Sequence, residues 1–231
     1  RAVAAARRAF ASWSVSTVAE RIDLLGAILA EYEKRERELG EAVMEEMGAP
    51  VGLACGFHTL LGKGHIGTAL EVLKTFKFEE ERGVTMIRKE PIGVCGLITP
   101  WNWPMNQTCV KIAPALATGC TMILKPPQLA PYSAQILAEI LHDAGVPAGV
   151  FNMVQGQGSV IGTALTRHKD VDMISFTGSE PVGVQIQKDA ADTVKRVVLE
   201  LGGKSAWVVL DDASMAANVG GATAGMMGNS G

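Results

Sequence analysis

Short apolar segments with strand character alternate with helical segments from residue 93 to residue 200, and this alternation constrains the fold more than any other feature. Such a pattern predicts βαβ units, which build a parallel sheet with right-handed crossovers. We therefore predict an α/β fold with an open parallel sheet and helices on both faces. The predicted strands are 93–98, 121–125, 150–154, 172–176 and 195–200, and the predicted helices are 104–117, 132–144, 159–166 and 181–191.

The first part of the chain has a different pattern. Residues 1–75 are predicted to be mostly helical, because Thr17 and Glu20 have capping-box spacing and apolar residues behind them recur at helical intervals. Residues 84–89 alternate weakly, which predicts a strand with at least one exposed side. The sequence offers that strand no hairpin partner, so we expect its partner outside this chain or in another subunit.

Composition and charge exclude several classes of protein. The chain has 231 residues, of which 48% are hydrophobic, and a formal net charge of -3. This mild acidity argues against a nucleic-acid partner, which would need a basic face. No apolar run has the length of a membrane span, and the Ala- and Arg-rich start lacks the apolar core of a signal peptide. We therefore expect no membrane partner and a cytoplasmic protein.

The cysteines and histidines show no metal-binding pattern. No pair of cysteines has the spacing of a zinc motif, and the histidines show no ligand spacing near them, so no metal site is predicted. Widely spaced cysteines indicate free thiols in a reducing compartment. The four cysteines are Cys55, Cys95, Cys109 and Cys120.

Both ends of the sequence look cut. The chain does not begin with Met, and its last residues, 225–231, form a Gly-rich stretch with no closing element. We expect the chain to be part of a longer protein.

A strand that ends near residue 200 terminates on a carboxylate. Glu200 follows a run of apolar residues, and Gly202 and Gly203 come directly after it. Ligands of open α/β sheets bind just beyond the carboxyl ends of the strands. Glu200 is therefore a candidate general base. From these residues alone, the alternative is an exposed glutamate that caps a strand.

Two glycine-containing turns indicate a phosphate site. Residues 156–162 follow a strand and open a helix, close to the dinucleotide fingerprint but with the third Gly one place late. In the second turn, Gly178 permits close backbone approach, and Ser179 is a candidate N-cap with Pro181 just inside the helix. An exposed helix N-terminus offers N–H groups to a phosphate. The alternatives are a tight turn and a capped helix that bind nothing, but two such turns favour a nucleotide.

Two further strand ends carry polar side chains in loops with prolines. Lys125 precedes two prolines and is a candidate contact to ribose or phosphate, with a solvated surface lysine as the alternative. Asn102 lies between Trp101 and Trp103, and we expect both indoles to fix this loop tightly. A rigid amide donor suits an oxyanion hole. The alternative is that the Trp residues belong to the core and Asn102 makes a turn.

Taken together, these motifs resemble the aldehyde dehydrogenase superfamily in order and separation across residues 1–231. By this resemblance, residues 93–231 are a Rossmann-like dinucleotide-binding domain, residues 1–75 pack on it, and residues 76–92 belong to an oligomerisation arm. The family's catalytic domain would then be absent from this chain. The motifs are Pro100-Trp101-Asn102-Trp103-Pro104, Pro114-Ala115-Leu116-Ala117-Thr118-Gly119, Lys125-Pro126, Phe176-Thr177-Gly178-Ser179 and Leu199-Glu200-Leu201-Gly202-Gly203-Lys204.

The resemblance also implies residue roles. Glu200 matches the family's general base, Asn102 the amide that stabilises the oxyanion, and Lys125 the contact to the adenosine ribose. Gly178 and Ser179 match the pyrophosphate turn, and no metal ligand is implied. The residues implied in cofactor binding are Ile98, Thr99, Pro100, Trp101, Lys125, Gln128, Gly158, Phe176, Thr177, Gly178, Ser179, Val182, Leu201 and Gly202.

The implied activity is oxidation of an aldehyde to a carboxylic acid with NAD or NADP, through a cysteine thioester that water, activated by Glu200, hydrolyses. Residues 229–231 resemble the approach to the family's nucleophile, so we expect that cysteine a few residues past Gly231. The four cysteines of this chain are then structural, and the chain alone is expected to be inactive. The full-length protein is expected to bind a small-molecule aldehyde and to form a homodimer or homotetramer.

Two alternative functions stay open. One is an acylating relative that passes the thioester to coenzyme A or phosphate, which has less use for a base such as Glu200. The other is a nucleotide-binding protein that keeps the fold without turnover. Cofactor preference also departs from the family pattern, because Gln128 stands where many NAD-preferring members carry an acidic residue. We therefore expect weak discrimination against NADP.

Overall fold

The computed structural model describes residues 1–211 and 214–230. The chain forms two units that divide between Leu201 and Gly202, and each is described by itself. The first unit contains N-terminal helices, a β-hairpin and a five-stranded parallel sheet with its connecting helices. None of the helices in the described ranges combines the length and the apolarity that a membrane crossing requires.

The N-terminal segment is helical, as predicted. Thr17 and Glu20 form the predicted capping box, in which each side chain accepts a hydrogen bond from the other residue's backbone N–H. The first helix lies against the sheet, where Thr121 Oγ1 donates to the Ala6 carbonyl at 3.0 Å. The helices are α1 (Ala2–Trp13), α2 (Val18–Lys34), α3 (Glu36–Met47) and α4 (Thr59–Leu73), with a π-helical turn at Leu53–His58.

An antiparallel hairpin follows these helices, and the prediction of a strand without a partner in this chain was wrong. β1 (Glu79–Arg82) pairs with β2 (Thr85–Arg88). Gly83 in the turn has φ +62°, which Gly adopts without steric strain. Sequence reasoning missed β1 because all four of its residues are charged, so it lacks the apolar alternation by which strands are predicted.

The parallel sheet follows the predicted alternation. The bounds of α5 and β4 coincide with the predicted ones, and most others differ by one or two residues. The exception is the predicted helix 159–166, which consists of a π-helical turn at Gly158–Gly162 followed by a short α-helix. The strands are β3 (Val94–Ile98), β4 (Thr121–Lys125), β5 (Phe151–Met153), β6 (Met173–Gly178) and β7 (Arg196–Leu201). The helices are α5 (Pro104–Ala117), α6 (Tyr132–Asp143), α7 (Thr163–Arg167) and α8 (Glu180–Ala190).

The order of the strands determines where a ligand can bind. Across the sheet the order is β5-β4-β3-β6-β7, and every neighbouring pair is parallel. The chain begins at the central β3, moves to one edge, and then crosses to the other side of β3 for β6 and β7. The boundary between β3 and β6 is therefore the topological switch point, where open α/β sheets bind ligands at the carboxyl ends of their strands.

The two faces of the sheet pack against different helices, as predicted for helices on both faces. One face, which carries Ile98, Ile174 and Phe176, shares a core cluster with residues of α1, α7 and α8, and we call it the α8 face. The opposite face, which carries Cys95 and Leu97, shares a larger cluster with residues of α2 to α6, and we call it the α5 face. Successive side chains of a strand alternate between the two faces.

The second unit contains α9 (Met215–Met227) and a 3-10 turn at Gly228–Ser230. Ser214 caps α9, and its Oγ accepts a hydrogen bond from the Ala217 N–H at 3.4 Å. The Gly-rich stretch 225–231, which was expected to lack a closing element, begins inside this helix. Its last residue, Gly231, lies outside the described residues.

Candidate active site at the carboxyl edge of the sheet

Three loops and the end of β7 meet at the carboxyl edge of the sheet, on both sides of the switch point. The loops follow β3, β4 and β6, and parallel strands end at the same edge, so residues far apart in sequence come together there. Gly158 follows β5 at the same edge, whereas Gly202 belongs to the second unit. The other predicted site residues at this edge are Ile98, Thr99, Pro100, Trp101, Asn102, Lys125, Gln128, Phe176, Thr177, Gly178, Ser179, Val182, Glu200 and Leu201.

The α8 face carries the candidate phosphate site. Gly178 ends β6, and a Cβ atom there would clash with the Phe176 ring, so a side chain would fit only if the ring or the strand end shifted. Ser179 takes the predicted N-cap position of α8, but its side chain makes no capping hydrogen bond. The first turn of α8 therefore has N–H groups that the cap leaves unsatisfied. These groups and the helix dipole fit an anionic phosphate.

The glycine turn after β5 is less constrained than its sequence suggests. Gly156 has φ +143°, so its backbone requires Gly. Gly158 is exposed, and a Cβ atom there would meet no heavy atom within 4 Å. A Cβ atom at Gly162, the late third glycine, would lie at an ordinary contact distance of 3.7 Å from Ile98 Cδ1. Of these three glycines, the geometry requires only Gly156.

Lys125 ends β4 in a buried position. It is 4% exposed, and its Nζ donates to the Pro126 carbonyl at 2.7 Å. Burial lowers the pKa of its ammonium group. The alternative of a solvated surface lysine is therefore excluded. Gln128, three residues further along, is exposed.

The loop that follows β3 is anchored by one of its two indoles. Trp103 stacks on His58 with ring centroids 4.3 Å apart, and it also meets Phe57 edge-on at 5.8 Å. Trp101 is 48% exposed, so it does not anchor the loop in the way the sequence predicted. Asn102 lies between the two indoles and is exposed. The Trp103 stack therefore positions the segment that carries the candidate amide.

The α5 face carries the candidate catalytic groups. The register of β6 and β7 pairs Thr177 with Glu200, which places the carboxylate beside the end of the neighbouring strand. Both residues line a pocket of about 520 Å³ between α5 and the sheet. Lys111 of α5 lines the same pocket, is 8% exposed, and donates from Nζ to Ser175 Oγ at 3.0 Å.

Lys111 and Glu200 lie close enough to influence each other. Burial lowers the pKa of the Lys111 ammonium group, and the Glu200 carboxylate opposes this shift. Glu200 is exposed at the end of β7, so water can reach its carboxylate there, as a general base requires.

Two buried hydroxyls at the carboxyl edge have no hydrogen-bond partner among the described residues. They are Thr99 Oγ1, just after β3, and Thr177 Oγ1, near the end of β6. Unpaired buried polar atoms are rare in native proteins, and each calls for an explanation such as a ligand. Together with Gly178 and the uncapped start of α8, these hydroxyls fit a dinucleotide bound across the switch point.

The cysteines are free thiols, as predicted. Cys95, Cys109 and Cys120 are buried, and Cys55 is partly exposed. Within residues 1–211 and 214–230, no three His, Cys, Asp or Glu side chains are grouped in a way that could hold a metal ion.

Comparison with known proteins identifies the family. The sequence profile described as "Aldehyde dehydrogenase family" matches residues 1–231. The chain belongs to the aldehyde dehydrogenase family. This result confirms the resemblance seen in the sequence motifs, and the observed sheet matches the α/β structures of other aldehyde dehydrogenases.

Individual relatives agree with this assignment. A 3-succinoylsemialdehyde-pyridine dehydrogenase from a Pseudomonas species is 52% identical over 215 residues, which cover 93% of this chain and 45% of the relative. A crystal structure of a mutant aldehyde dehydrogenase C from Pseudomonas syringae, in complex with NAD+ and octanal, is 47% identical with a TM-score of 0.98. It covers 99% of this chain and 47% of that one. An aldehyde dehydrogenase from Bartonella henselae is 44% identical with a TM-score of 0.95, and covers 99% of this chain and 48% of that one.

This chain therefore spans about half the length of the aldehyde dehydrogenases it matches.

Lys111 and Ser175 line the candidate site, and sequence reasoning missed both. Both lie inside regular elements, α5 and β6, whereas the motifs were sought at strand ends. A usable signal was present, because each polar residue occupies a buried position in an otherwise apolar stretch. Ser175 follows Ile174 directly and precedes Phe176.

Proposed function

We propose that the protein containing this chain oxidises an aldehyde to a carboxylic acid, with NAD or NADP as the hydride acceptor and a cysteine thioester as the intermediate. Glu200 is the general base that activates water for hydrolysis of the thioester. Lys111 is a positioning residue for the Glu200 carboxylate. Asn102 supplies the amide that stabilises the oxyanion, and the Trp103 stack holds its loop.

The position of Glu200 is the observation that carries this proposal. It lies in register with Thr177 at the carboxyl edge and shares a pocket with Lys111. The candidate phosphate site at Gly178 belongs to the opposite face of the same edge, so the sheet separates the carboxylate from the phosphates that it would repel. This separation supports a ligand whose phosphates lie at the start of α8 and whose reactive end lies on the Glu200 side.

The residues that would hold the dinucleotide lie mainly on the α8 side of the edge. Gly178 and Ser179 would contact the pyrophosphate, Lys125 the adenosine ribose, and Thr99 and Thr177 would use their unpaired hydroxyls. When bound, the nicotinamide supplies the hydride acceptor. We propose as further contacts Ile98, Pro100, Trp101, Gln128, Phe176, Val182 and Leu201, together with Gly158 and Gly202.

The reaction also needs a thiol nucleophile, and the cysteines of this chain are poorly placed for that role. Cys95 lies near the start of β3 and Cys120 just before β4, at the opposite end of these strands from the carboxyl edge. Cys109 is buried within α5, and Cys55 lies in the π-helical turn. We propose that the nucleophile belongs to the part of the relatives' length that this chain does not cover.

We further propose that the protein forms a homodimer or homotetramer, with residues 76–92 as part of the arm that joins subunits. Val84 and Met86 of the hairpin are exposed apolar residues. Exposed apolar side chains on a two-stranded hairpin support its pairing with another subunit. A cytoplasmic location is supported by the free thiols, which a reducing compartment maintains.

A rapid-mixing experiment on the full-length Glu200→Gln variant tests the proposed function. Gln keeps the shape of Glu and removes its basicity. We expect a burst of reduced cofactor followed by turnover at least roughly 100-fold slower than in the wild type, because hydride transfer precedes hydrolysis. Glu45→Gln is the matched control, since Glu45 is an exposed carboxylate on α3, and it should leave both phases unchanged.

Two outcomes would contradict the proposal. Loss of the burst together with the steady state would mean that Glu200 acts before hydride transfer. Faster turnover of the wild type on addition of coenzyme A or phosphate, with an acylated acceptor as product, would instead support the acylating alternative. Absence of any cofactor reduction over a broad panel of aldehydes would support the binding protein without turnover.

A further inference from the structure

Two of the four cysteines lie side by side on the α5 face. Cys95 is in β3, and Cys120 immediately precedes β4, the parallel neighbour of β3. The register pairs Val94 with Thr121, so Cys120 lies beside Gly93, and Cys95 is two residues further along the same face. Each cysteine is 4% exposed. The two sulfurs lie close enough for each thiol to shift the pKa of the other.

The surroundings of the pair favour a thiolate on Cys120 and a thiol on Cys95. A hydrogen bond from the Cys95 thiol is the main cause that lowers the pKa of Cys120 to about 6. Thr118 Oγ1, which lies 3.5 Å from the Cys120 sulfur, and two backbone N–H groups lower this pKa further, whereas burial raises it. The Arg21 guanidinium lies near enough to interact with the Cys120 charge. The pKa of Cys95 is raised by the same hydrogen bond, by burial and, more weakly, by Asp172.

A pocket gives small molecules access to both sulfur-bearing side chains. Cys95 and Cys120 line the same space of about 520 Å³ that Glu200 lines. Cys109 contrasts with them, because burial raises the pKa of its thiol to about 12 and it does not line this pocket. Cys55 lies in the π-helical turn, away from the sheet. The pair therefore differs from the other two cysteines in both access and ionisation.

We propose that Cys95 and Cys120 form a redox-active dithiol, which hydrogen peroxide or an organic hydroperoxide converts to a disulfide. The sequence motifs had suggested only structural roles for these residues. The proposal does not depend on the aldehyde dehydrogenase reaction, since it uses thiols at the opposite end of the strands from the carboxyl edge.

The chemistry has two balanced steps. The Cys120 thiolate attacks one peroxide oxygen, so that an S–O bond forms, the O–O bond breaks, and the second oxygen leaves as alkoxide or hydroxide and takes up a proton. The sulfur is oxidised to a sulfenic acid while the peroxide is reduced. Cys95 then attacks the Cys120 sulfur, the S–S bond forms, the S–O bond breaks, and hydroxide leaves with the thiol proton as water.

Closure requires the two Cα atoms to lie within about 7 Å of each other. Cys120 lies in the turn before β4, outside the regular ladder, and its backbone N–H bonds the Ala115 carbonyl at 2.9 Å. Because the ladder begins at Val94 and Thr121, a shift of Cys120 toward Cys95 need not break a pair of β3 with β4.

Limited oxidation followed by peptide mapping tests the proposal. The fully reduced full-length protein is treated with about one equivalent of hydrogen peroxide, the remaining thiols are alkylated, and the peptides are identified by mass spectrometry. We expect a disulfide-linked peptide pair containing Cys95 and Cys120, reversible with dithiothreitol. Loss of the Cys120 thiol should be at least about tenfold faster than loss of the Cys109 thiol.

Variants separate the two steps. In Cys95→Ala, which removes the second thiol, dimedone should trap a sulfenic acid on Cys120. In Cys120→Ser, peroxide should leave Cys95 as a thiol. Cys109→Ala is the matched control and should form the disulfide as the wild type does. If a variant at either position fails to fold, the wild-type peptide map decides the question alone.

Three results would overturn the proposal. The first is oxidation of Cys109 or Cys55 before Cys120. The second is a sulfenic or higher acid on Cys120 of the wild type while Cys95 stays a thiol, which would show that the pair cannot close. The third is a Cys120 thiol that resists peroxide under conditions where Cys55 reacts.

Discussion

The two faces of the sheet contribute different chemistry at the same carboxyl edge. On the α8 face, the candidate contacts are Gly178, where a side chain would clash with the Phe176 ring, and the backbone N–H groups of an uncapped helix. On the α5 face, they are titratable side chains, Glu200 and Lys111, in one pocket. The α8 face is suited to holding an anion, and the α5 face is suited to moving a proton.

The difference follows from the alternation of side chains along two strands. Thr177 and Gly178 are consecutive in β6, and Glu200 and Leu201 are consecutive in β7, so each strand presents one residue to each face. A structure built in this way should allow cofactor binding and catalysis to be changed separately. Substitutions in the full-length protein can test that separation.

Lys111→Met, on the α5 face, should slow catalysis without changing cofactor binding. Met keeps an unbranched apolar stem of similar length but removes the charge near Glu200 and the hydrogen bond to Ser175. We expect kcat to fall roughly 100-fold, as misplacement of a reacting group can cost, with the NAD dissociation constant unchanged. Steady-state kinetics and a cofactor titration measure the two effects. A fall in turnover that is explained entirely by weaker NAD binding would contradict the separate roles of the two faces.

The same substitution has a pH signature that a lost packing contact would not produce. Burial holds the pKa of Lys111 below its ordinary value of 10.5. Between the folded-state pKa and 10.5, the unfolded chain binds more protons than the folded one, so the free energy of unfolding rises with pH. Lys111→Met should show a smaller rise, because Lys125 and Lys195, whose pKa values burial also lowers, still contribute, and Lys188→Met, at an exposed position on α8, should retain the full rise. Denaturant unfolding at several pH values up to about 10.5 measures it, and equal slopes in wild type and Lys111→Met would contradict the assignment.

Gly178→Ala, on the α8 face, should weaken cofactor binding without changing catalysis. The new Cβ atom would clash with the Phe176 ring, so the end of β6 or the ring must shift. We expect NAD to bind about tenfold more weakly, a loss of about 1.4 kcal/mol, with kcat at saturating NAD within about twofold of the wild type. Gly158→Ala is the control, because a Cβ atom there meets nothing within 4 Å, and it should bind NAD normally. An equal loss of NAD affinity in both variants would show that the contact of the new Cβ atom with Phe176 is not the cause of the loss.

Gln128→Glu should have the smallest effect and should change only cofactor choice. Gln128 is exposed at the end of β4, where a carboxylate would accept ribose hydroxyl bonds and repel a 2′-phosphate. We expect the wild type to use NADP within about tenfold of NAD, and the variant to favour NAD about tenfold more. The measurement is kcat/KM for both cofactors, with Gln187→Glu on α8 as the control. A wild type that rejects NADP by several orders of magnitude would show that Gln128 is not the selector.

The sequence predicted the parts of the fold that depend on local pattern and missed those that depend on packing. The bounds of α5 and β4 could be predicted because Pro104 starts the helix and Lys125-Pro126 ends the strand. The first strand of the hairpin could not be predicted, because a run of charges has no strand signal until its partner is known.

Some residues of the candidate site could likewise be predicted from local sequence motifs, and others could not. Glu200 and Gly178 lie at strand ends, where sequence motifs can be recognised, so both could be proposed before the structure was known. Lys111 is buried in the middle of a helix and is brought near Glu200 only by the packing of α5 on the sheet. The contact between Cys95 and Cys120 depends likewise on the register of β3 and β4, which no pattern within either strand specifies.

The central claim is that one edge of the sheet holds the cofactor on the α8 face and carries out the chemistry on the α5 face. The most direct test is the NAD dissociation constant of full-length Glu200→Gln, measured by isothermal titration alongside its turnover. We predict an NAD dissociation constant within about twofold of the wild type, together with turnover reduced at least roughly 100-fold. An NAD affinity that falls in proportion to turnover would contradict the account, because it would make Glu200 part of the binding site.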